Sequence, residues 1–216
     1  MSMTLVIGNK NYSSWSLRPW LFLKHHGIPF EEIRIPLYRE DSKARLSRYS
    51  PSGKVPVLRD DDVTVWDSLA ILEYLADRFP ETRAWPSDPA ARAQARSITA
   101  EMHAGFVALR THCSMNCRRP PTAKAVPEAV KEDVARIVSI WHDCRGRHGA
   151  AGSWLFGDFS IADAMYAPVA LRFHTYRLSE DPVAGAYVST VLGHPAMAEW
   201  MAAGREEVEV IPAFED

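Results

Sequence analysis

The chain has 216 residues, a length for which two modules of unequal size are the natural expectation. Hydrophobic residues make up 47% of it and charged residues 24%, as in ordinary globular proteins, which excludes a disordered or fibrous chain. A formal net charge of -2, with no cluster of Lys and Arg, excludes a general nucleic-acid surface.

The cysteines and the N-terminus predict the compartment. Cys113, Cys117 and Cys144 are few and odd in number, and no CxxC motif occurs, which is typical of a reducing compartment. The first eight residues carry no positive region, and their apolar run is too short for a signal peptide or a membrane span. We therefore expect a cytoplasmic protein that does not bind membranes.

The first part of the chain shows an α/β pattern. Period-2 and period-3.6 spacing of apolar residues predicts the element order βαβαββα, with a hairpin between the third and fourth strands. The predicted strands are 4–8, 30–36, 55–58 and 63–66. Three helices are predicted: the first ends at Gly27 and Pro29, the second is short and exposed and lies in 39–49, and the third spans about 68–79.

The composition changes after Pro80. Residues 85–89, Trp-Pro-Ser-Asp-Pro, are typical of a linker, and Ala-rich helical periodicity then replaces the strand pattern. We expect an α/β domain at 1–80, a linker at 81–88 and an all-helical domain at 89–216. The predicted helices of the second domain are a long one to about Cys117, one from the proline breaks at 120–127 to about His148, and others after Ser160 and Pro195.

Four short motifs follow one another along the chain. They are Ser13-Ser14-Trp15-Ser16-Leu17-Arg18, Val55-Pro56, Asp67-Ser68-Leu69-Ala70-Ile71 and Ser160-Ile161-Ala162-Asp163. In this order, and with this domain plan, the whole chain resembles the cytosolic glutathione S-transferases, and most closely their serine-type, zeta-like bacterial members. The last motif also fits a capping box that starts a buried helix, which is a role in folding.

The resemblance implies a fold and an activity. We expect a thioredoxin-like N-terminal domain that binds glutathione, an all-helical C-terminal domain that contributes the electrophile pocket, and no metal. The enzyme would conjugate glutathione, its co-substrate, to a small apolar electrophile in detoxification, and it would form a homodimer. Alternatives are a glutathione-dependent cis-trans isomerase of the maleylacetoacetate type and a non-catalytic relative that only binds.

The serine cluster lies between the first strand and the first helix, where a hydroxyl and the helix N-terminus meet. Lowering a thiol pKa from about 8.5 by about two units takes roughly 2.7 kcal/mol. A hydrogen bond to the thiolate contributes roughly 1.5–3 kcal/mol and the helix terminus roughly 0.3–1 kcal/mol. The zeta-like pattern assigns this catalytic role to Ser13, with Ser14 as its close rival and Asn11 and Tyr12 as other possible donors.

Helix capping alone is the other explanation of the serines. We expect Ser16 to be the cap, because Pro19, which lacks an N–H, would then lie in the first turn. Trp15 stands where zeta members often, and cysteine-using classes characteristically, carry a cysteine. Thiol-disulfide chemistry of the glutaredoxin, omega or beta kind is therefore disfavoured.

The resemblance places glutathione-binding residues in two motifs: Lys54, Val55, Pro56, Asp67 and Ser68. The base rate of about 5–6% predicts a trans Val55-Pro56 bond, whereas the resemblance implies a cis bond that turns the Val55 backbone toward glutathione. Ser68 is the expected N-cap of a helix whose N-terminus holds the γ-glutamyl carboxylate, and Asp67 is expected to meet the ammonium. Lys54 suits a carboxylate, with a solvated lysine as the alternative.

The expected electrophile pocket draws on both domains: Tyr12, Trp15, His103, Phe106, Arg110, Arg172 and Tyr176. Ordinary helix packing is the alternative explanation of His103. Arg172 and Tyr176, four residues apart, would present a cation and a phenol, and zeta-class isomerases use arginines to hold dicarboxylates. His112, Cys113 and Cys117 lack further ligands at suitable spacing, so we predict no metal site there.

Overall fold

The computed structural model describes residues 3–215, which form four strands and nine α-helices. The strands are β1 (Met3–Ile7), β2 (Glu31–Arg34), β3 (Val57–Asp60) and β4 (Val63–Trp66). The helices are α1 (Ser14–His25), α2 (Ser42–Leu46), α3 (Ser68–Arg78), α4 (Pro89–Ala104), α5 (Val107–His112), α6 (Glu128–His148), α7 (Ile161–Tyr176), α8 (Pro182–Leu192) and α9 (Pro195–Glu206). No helix within residues 3–215 is long and apolar enough to cross a membrane.

The four strands form one sheet in the order β2-β1-β3-β4. β1 pairs in parallel with β2 and antiparallel with β3, and β3 and β4 form the predicted hairpin. The central strand β1 is buried on both faces: Leu5 and Ile7 belong to the main core with α1 and α3, while Val6 packs with Ile35 and Leu46 on the other face. The predicted order βαβαββα is confirmed.

The helical part is organised around α7, which is buried almost all round and packs against α1, α4 and α8. The predicted capping box is present at its start, where Asp163 Oδ2 accepts from the Ser160 N–H at 2.9 Å. Asp163 Oδ1 also accepts from the Leu155 N–H and the Tyr187 hydroxyl. Burial raises the pKa of Asp163 to about 6. The helix that borders the sheet module is thus fixed by a buried, fully bonded carboxylate.

Several predicted boundaries were wrong. The long helix to Cys117 ends at Ala104, because Gly105 leaves the helical conformation and Phe106 has φ 54°, in the left-handed region. A Cβ on Gly105 would lie 2.7 Å from the Glu101 carbonyl oxygen, so only glycine fits this break. The short helix predicted in 39–49 is α2, but it is not wholly exposed, because Ser42 and Leu46 are buried. β3 begins at Val57 and not at Val55, after a proline that cannot donate to the ladder.

Candidate active site

A cleft of about 600 Å³ opens where the turn before α1, the loop before β3, α5 and α7 meet. Eight of the residues that the sequence assigned to the site line it: Tyr12, Ser13, Ser14, Trp15, Lys54, Val55, Arg110 and Arg172. Six others lie outside its lining: Pro56, Asp67, Ser68, His103, Phe106 and Tyr176. The structure therefore brings the serine cluster together with the loop before β3 and with two arginines of the helical part.

Ser13 is the N-cap of α1, and the prediction that Ser16 caps this helix was wrong. The Ser13 Oγ accepts from the Ser16 N–H at 3.3 Å and donates to the Ser16 Oγ at 2.8 Å. The Leu17 N–H bonds to the Ser13 carbonyl at 3.2 Å, so the helix starts almost one turn earlier than predicted and Pro19 lies beyond its first turn. Both hydrogen-bonding directions of the Ser13 hydroxyl are thus used within the protein.

Ser14, the first residue of α1, differs from Ser13 in one respect. Its hydroxyl makes no hydrogen bond to any of residues 3–215, although Ser14 is only 6% exposed and lines the cleft. A hydroxyl at this position lies at the positive end of the helix dipole, beside unpaired backbone N–H groups. Ser14 is therefore equipped to donate to an anion in the cleft.

The other two candidate donors are placed less well for the cleft. Asn11 is fully buried and lies outside the cleft lining; its Oδ1 accepts from the Arg118 N–H at 2.9 Å, and its Nδ2 has no partner among residues 3–215. The Tyr12 hydroxyl contacts the Glu215 carboxylate, receives a 2.5 Å hydrogen bond from Arg118 Nη2 and accepts from the Ile211 N–H. Burial first, and then Glu215, raise the pKa of Tyr12. Tyr12 contributes its ring to the cleft wall, while its hydroxyl belongs to the contacts of the C-terminal residues.

The Val55-Pro56 peptide bond is cis, as the resemblance implied and contrary to the base rate. Val55 lines the cleft, and neither its backbone N–H nor its carbonyl bonds to another of residues 3–215. Free main-chain groups of this kind pair readily with an extended peptide, as a strand does. Lys54 is exposed beside them, and its own backbone groups bond to the Ser50 hydroxyl.

Asp67, rather than the predicted Ser68, is the N-cap of α3. Asp67 has φ 75°, and its Oδ1 accepts from the N–H groups of Leu69 and Ala70 at 2.8 and 3.3 Å. This backbone turn places the Asp67 carboxylate over the first helical turn and moves Ser68 into the interior. Ser68 has no exposed surface, and its Oγ accepts from Arg18 Nη1 at 3.0 Å.

The start of α3 is closed by side chains from both parts of the chain. His103 Nε2, from α4, lies 3.3 Å from the Asp67 carboxylate, and the His103 ring packs edge-on against Trp15. The Arg18 guanidinium lies 4.1 Å from the Trp15 ring centre and is fully buried. Burial lowers the pKa of Arg18 to about 9, and burial also lowers the pKa of His103, so this histidine is neutral at pH 7.

The helical part supplies two cations to the cleft. Arg172 is 4% exposed, and its Nε and Nη1 donate to the carbonyls of Cys113 and Pro168 at 2.8 and 3.2 Å. No carboxylate among residues 3–215 lies within 4 Å of it, and burial, followed by the charge of Arg110, lowers its pKa to about 10. Arg110 donates to carbonyls at the end of α4. Burial lowers the pKa of Arg110, while the charge of Asp133 opposes that shift. Arg172 thus brings a buried guanidinium without an ion-pair partner to the cleft.

The cleft as a whole is cationic. Its lining contains five basic residues and no Asp or Glu: Arg39, Lys43, Lys54, Arg110 and Arg172. Sequence reasoning missed Arg39, Lys43 and, most distant in the chain, Phe214, whose ring lies 5.8 Å from that of Tyr12. Phe106 and Tyr176, expected in the wall, are buried instead, and the Tyr176 hydroxyl donates to the Ser114 carbonyl. A positive cleft in a chain of net charge -2 favours an anionic ligand.

Metal ligands are a separate question. Within residues 3–215 no group of three or more His, Cys, Asp and Glu side chains is arranged to hold a metal. Cys113, Cys117 and Cys144 are buried free thiols. Burial raises the pKa of Cys117 and of Cys144 to about 12, so these two thiols are protonated at neutral pH.

Comparison with known proteins decides the family. Residues 12–78 match the model of the glutathione S-transferase N-terminal domain, and residues 89–203 match that of the C-terminal domain. The chain belongs to the glutathione S-transferase family. This confirms the resemblance, the two-part fold and the prediction of an enzyme with glutathione as its co-substrate.

Individual relatives of this glutathione S-transferase carry two kinds of name. Glutathione S-transferase GstB of Escherichia coli K12 is 33% identical in an alignment 195 residues long that covers 82% of this chain and 87% of GstB. Maleylacetoacetate isomerase of Pseudomonas aeruginosa is 26% identical in an alignment 206 residues long that covers 91% of this chain and 94% of the isomerase. A solved glutathione transferase from Methylococcus capsulatus has a TM-score of 0.68 and 26% identity, and the match covers 94% of this chain and 98% of that one.

Proposed function

We propose that this protein is a glutathione transferase in which the Ser14 hydroxyl stabilises the glutathione thiolate. The observation that carries the proposal is the unpartnered Ser14 hydroxyl at the N-terminus of α1, on the wall of a cleft that also presents the free backbone groups of Val55. Ser13, which the zeta-like pattern favours, caps the helix with the same hydroxyl that catalysis would need. The choice between the two serines therefore falls on Ser14.

In this mechanism the cysteinyl part of glutathione lies extended along Val55 and pairs with its N–H and C=O. The thiol loses its proton to solvent, and the Ser14 hydroxyl and the α1 N-terminus stabilise the resulting thiolate by roughly 1.5–3 and 0.3–1 kcal/mol. The thiolate then attacks the electrophilic carbon and forms a C–S bond. A leaving group departs with its electron pair in a substitution, or a neighbouring carbon takes up a proton in an addition.

The remaining assignments for the tripeptide extend from the cleft to residues outside its lining, Pro56 and Asp67. We propose that Lys54, Val55 and Pro56 bind it along the loop before β3, and that Asp67, whose side chain is 43% exposed, meets the γ-glutamyl ammonium. Ser68 is fully buried, so its proposed part is to hold Arg18 behind this corner and not to touch the ligand.

The test compares Ser14→Ala with Ser13→Ala in conjugation of glutathione to a generic aryl halide. Loss of a hydrogen bond to the thiolate should lower kcat of Ser14→Ala about 10- to 100-fold while retention on immobilised glutathione persists. Ser13→Ala should lose about 1 kcal/mol of stability as a lost cap and keep kcat within a few-fold. Ser14→Thr, which keeps a hydroxyl, should recover part of the rate.

Two results would contradict the assignment to Ser14: an unchanged kcat in Ser14→Ala, or a large loss in Ser13→Ala alone, which would return the role to Ser13. Unchanged rates in both variants would remove the serine mechanism itself. A wild-type chain that is not retained on glutathione would favour the third reading of the sequence, a non-catalytic relative that binds other ligands.

A second candidate function is glutathione-dependent isomerisation of a maleyl-type acid. Arg110 and Arg172 favour it, because both line the cleft and neither forms an ion pair within 4 Å among residues 3–215, and relatives from Caenorhabditis elegans and Pseudomonas aeruginosa carry the isomerase name. The thiolate would add to the double bond, the resulting single bond would rotate, and elimination would restore the double bond and the thiolate. Arg172→Met should then abolish turnover of a maleyl-type acid while conjugation of an uncharged aryl halide stays within a few-fold.

The assembly and the compartment are also proposals. The family resemblance suggests a homodimer in which the N-terminal module of one subunit packs on the helical domain of the other. Trp66 on β4 and Val107 on α5 are 46% and 62% exposed, which supports apolar contacts from both modules. Sedimentation at micromolar concentration would test the dimer, and a cytoplasmic location follows from the cysteine usage.

A further inference from the structure

The turn that precedes α1 is enclosed by residues from the far end of the chain. We call residues 9–13 the N-terminal turn and residues 207–215 the C-terminal segment. The backbone N–H groups of Tyr12 and Ser13 both bond to the Asn9 carbonyl, so the N-terminal turn is tight and leads directly into Ser14. A displacement of this turn would therefore change the direction of the Ser14 hydroxyl.

Glu207 holds the N-terminal turn by its backbone. Its Oε1 accepts from the Lys10 N–H at 2.7 Å and its Oε2 from the Asn11 N–H at 3.1 Å, across almost two hundred positions of sequence. The Glu207 side chain is only 6% exposed, and Arg34 lies 3.4 Å away on its other side. The Lys10 ammonium is paired with Glu32 instead, so the Glu207 carboxylate serves the main chain of the turn and not its side chain.

Asn11 is held on its other groups as well. Its carbonyl accepts from the Cys117 N–H at 3.2 Å, in addition to the Arg118 bond to its side chain. Arg118 also donates to the Glu207 carbonyl at 2.6 Å, which fixes the start of the C-terminal segment against the turn. Charged and main-chain hydrogen bonds of this kind give a single geometry because each group has few other partners.

Gly204 allows α9 to approach this closely. A Cβ at this position would lie 3.1 Å from the Asn11 nitrogen and 3.1 Å from the Cys117 Cβ, tighter than ordinary van der Waals contact. The last turn of α9 therefore packs directly on the backbone of the N-terminal turn. Glu207 follows three residues later, at the point from which its carboxylate reaches both N–H groups.

We propose that Glu207 is a positioning residue of the thiol site: by holding the backbone N–H groups of Lys10 and Asn11, it fixes the N-terminal turn and the direction of the Ser14 hydroxyl. The proposal rests on the proposed role of Ser14. Glu207 touches no reacting atom, so its loss should affect the stabilisation of the thiolate and leave the backbone pairing of glutathione at Val55 in place. The effect is expected in kcat and in the pKa of bound thiol, and little in KM.

The test is Glu207→Gln, which keeps the size of the side chain but places an NH₂ against one of two backbone donors. The control is Glu206→Gln, one residue earlier and exposed. We expect kcat of Glu207→Gln to fall about tenfold, with KM for glutathione changed less than about twofold. The pKa of bound thiol, taken from the pH profile of kcat/KM for the electrophile at saturating glutathione, should rise, and Glu206→Gln should match the wild type.

A second variant keeps the proposal testable if Glu207→Gln does not fold. Gly204→Ala displaces the Asn11 backbone from the side of α9 and should give the same split between kcat and KM. Equal kcat and thiol pKa in the wild type and in folded Glu207→Gln would overturn the proposal. So would a rise in KM that accounts for the whole loss.

Amide hydrogen exchange separates this proposal from the proposed function. If Glu207 holds the turn, the Lys10 and Asn11 amides should exchange at least about tenfold faster in Glu207→Gln than in Glu206→Gln, whether or not the chain is active. If the wild type is inactive but the two amides still exchange faster in Glu207→Gln, the proposed function is wrong and the contact made by Glu207 is confirmed. Faster exchange with unchanged kcat in an active protein would refute the positioning role, and unchanged exchange would refute the contact itself.

Discussion

Helices α1 and α3 begin alike in sequence, with a capping residue followed by a serine, but their surroundings differ. At α1, Ser13 caps the helix and the Ser14 hydroxyl is unpartnered at the cleft. At α3, Asp67 caps the helix and Ser68 is fully buried with its hydroxyl bonded to Arg18. The same local motif therefore yields an open hydroxyl in one place and a structural one in the other.

The difference comes from what fills the space in front of each helix. The Arg18 side chain extends from α1 across to the start of α3, where Nη1 reaches Ser68 and Nη2 reaches the Met102 Sδ at 3.5 Å. No comparable donor reaches Ser14. A cap followed by a serine thus identifies a helix N-terminus, whereas a ligand site also requires that no protein donor occupies the serine.

The largest expected effect concerns the Ser68 hydroxyl, which accepts a hydrogen bond from Arg18 at the start of α3. Ser68→Ala should lower the free energy of unfolding by about 2–3 kcal/mol, because Arg18 would keep its buried charge without an oxygen acceptor. Adding Arg18→Met should restore part of the loss, because the double variant buries neither the charge nor an unsatisfied group. Urea unfolding of the wild type, both single variants and the double variant would measure the coupling.

Additive losses would contradict this account of the α3 corner. If Ser68→Ala and Arg18→Met each destabilise the protein and their effects sum, the two side chains do not depend on each other. The Arg18 contact would then not explain the contrast between Ser68 and Ser14.

A second prediction compares the two caps. Asp67→Ala should cost about 2 kcal/mol, since the cap is lost and alanine at φ 75° is strained, whereas Ser13→Ala should cost about 1 kcal/mol. Asp67→Gly removes the cap without the strain and should fall between them. Thermal unfolding of the three variants would rank them, and an equal Tm for Asp67→Ala and Asp67→Gly would show that the backbone at Asp67 stores no strain.

The fold was predictable in its elements and less so in its breaks. Alternating and 3.6-period apolar residues are local signals, so the order βαβαββα and the capping box at Ser160 followed from the sequence. The break at Gly105 did not, because glycine inside a helical pattern is compatible with a continuing helix. Only the close approach of the Glu101 carbonyl to residue 105 explains why α4 ends there.

The site was predictable where it depends on neighbours in sequence and not where it depends on distant ones. Ser13 and Ser14 were recognised as a pair, but their different roles depend on the two hydrogen bonds between the Ser13 hydroxyl and Ser16. Phe214 and Glu207 gave no signal, because each reaches the N-terminal turn from the other end of the chain. Contacts between residues about two hundred positions apart produce no periodic pattern in the sequence from which they could be predicted.

The smallest expected effect is a change in the dependence of Tm on pH, which tests the burial of His103 at the start of α3. The pKa of His103 is lowered from 6.5, mainly by burial, so the unfolded chain takes up this proton at a higher pH than the folded one. The contribution is fully present above pH 6.5 and is lost as the pH falls below it. His103→Gln, which can still donate to Asp67, should reduce the drop in Tm between pH 7 and pH 5 by about 1–3 °C.

His112→Gln, at an exposed position on α5, is the matched control with which the slope of Tm against pH in His103→Gln is compared. The other histidines with lowered pKa, His25, His26, His174 and His194, remain in both variants, so the comparison isolates one site. Identical slopes in His103→Gln and His112→Gln would mean that His103 is solvated like a surface histidine. The His103 side of the α3 start would then be open to water, as the start of α1 is.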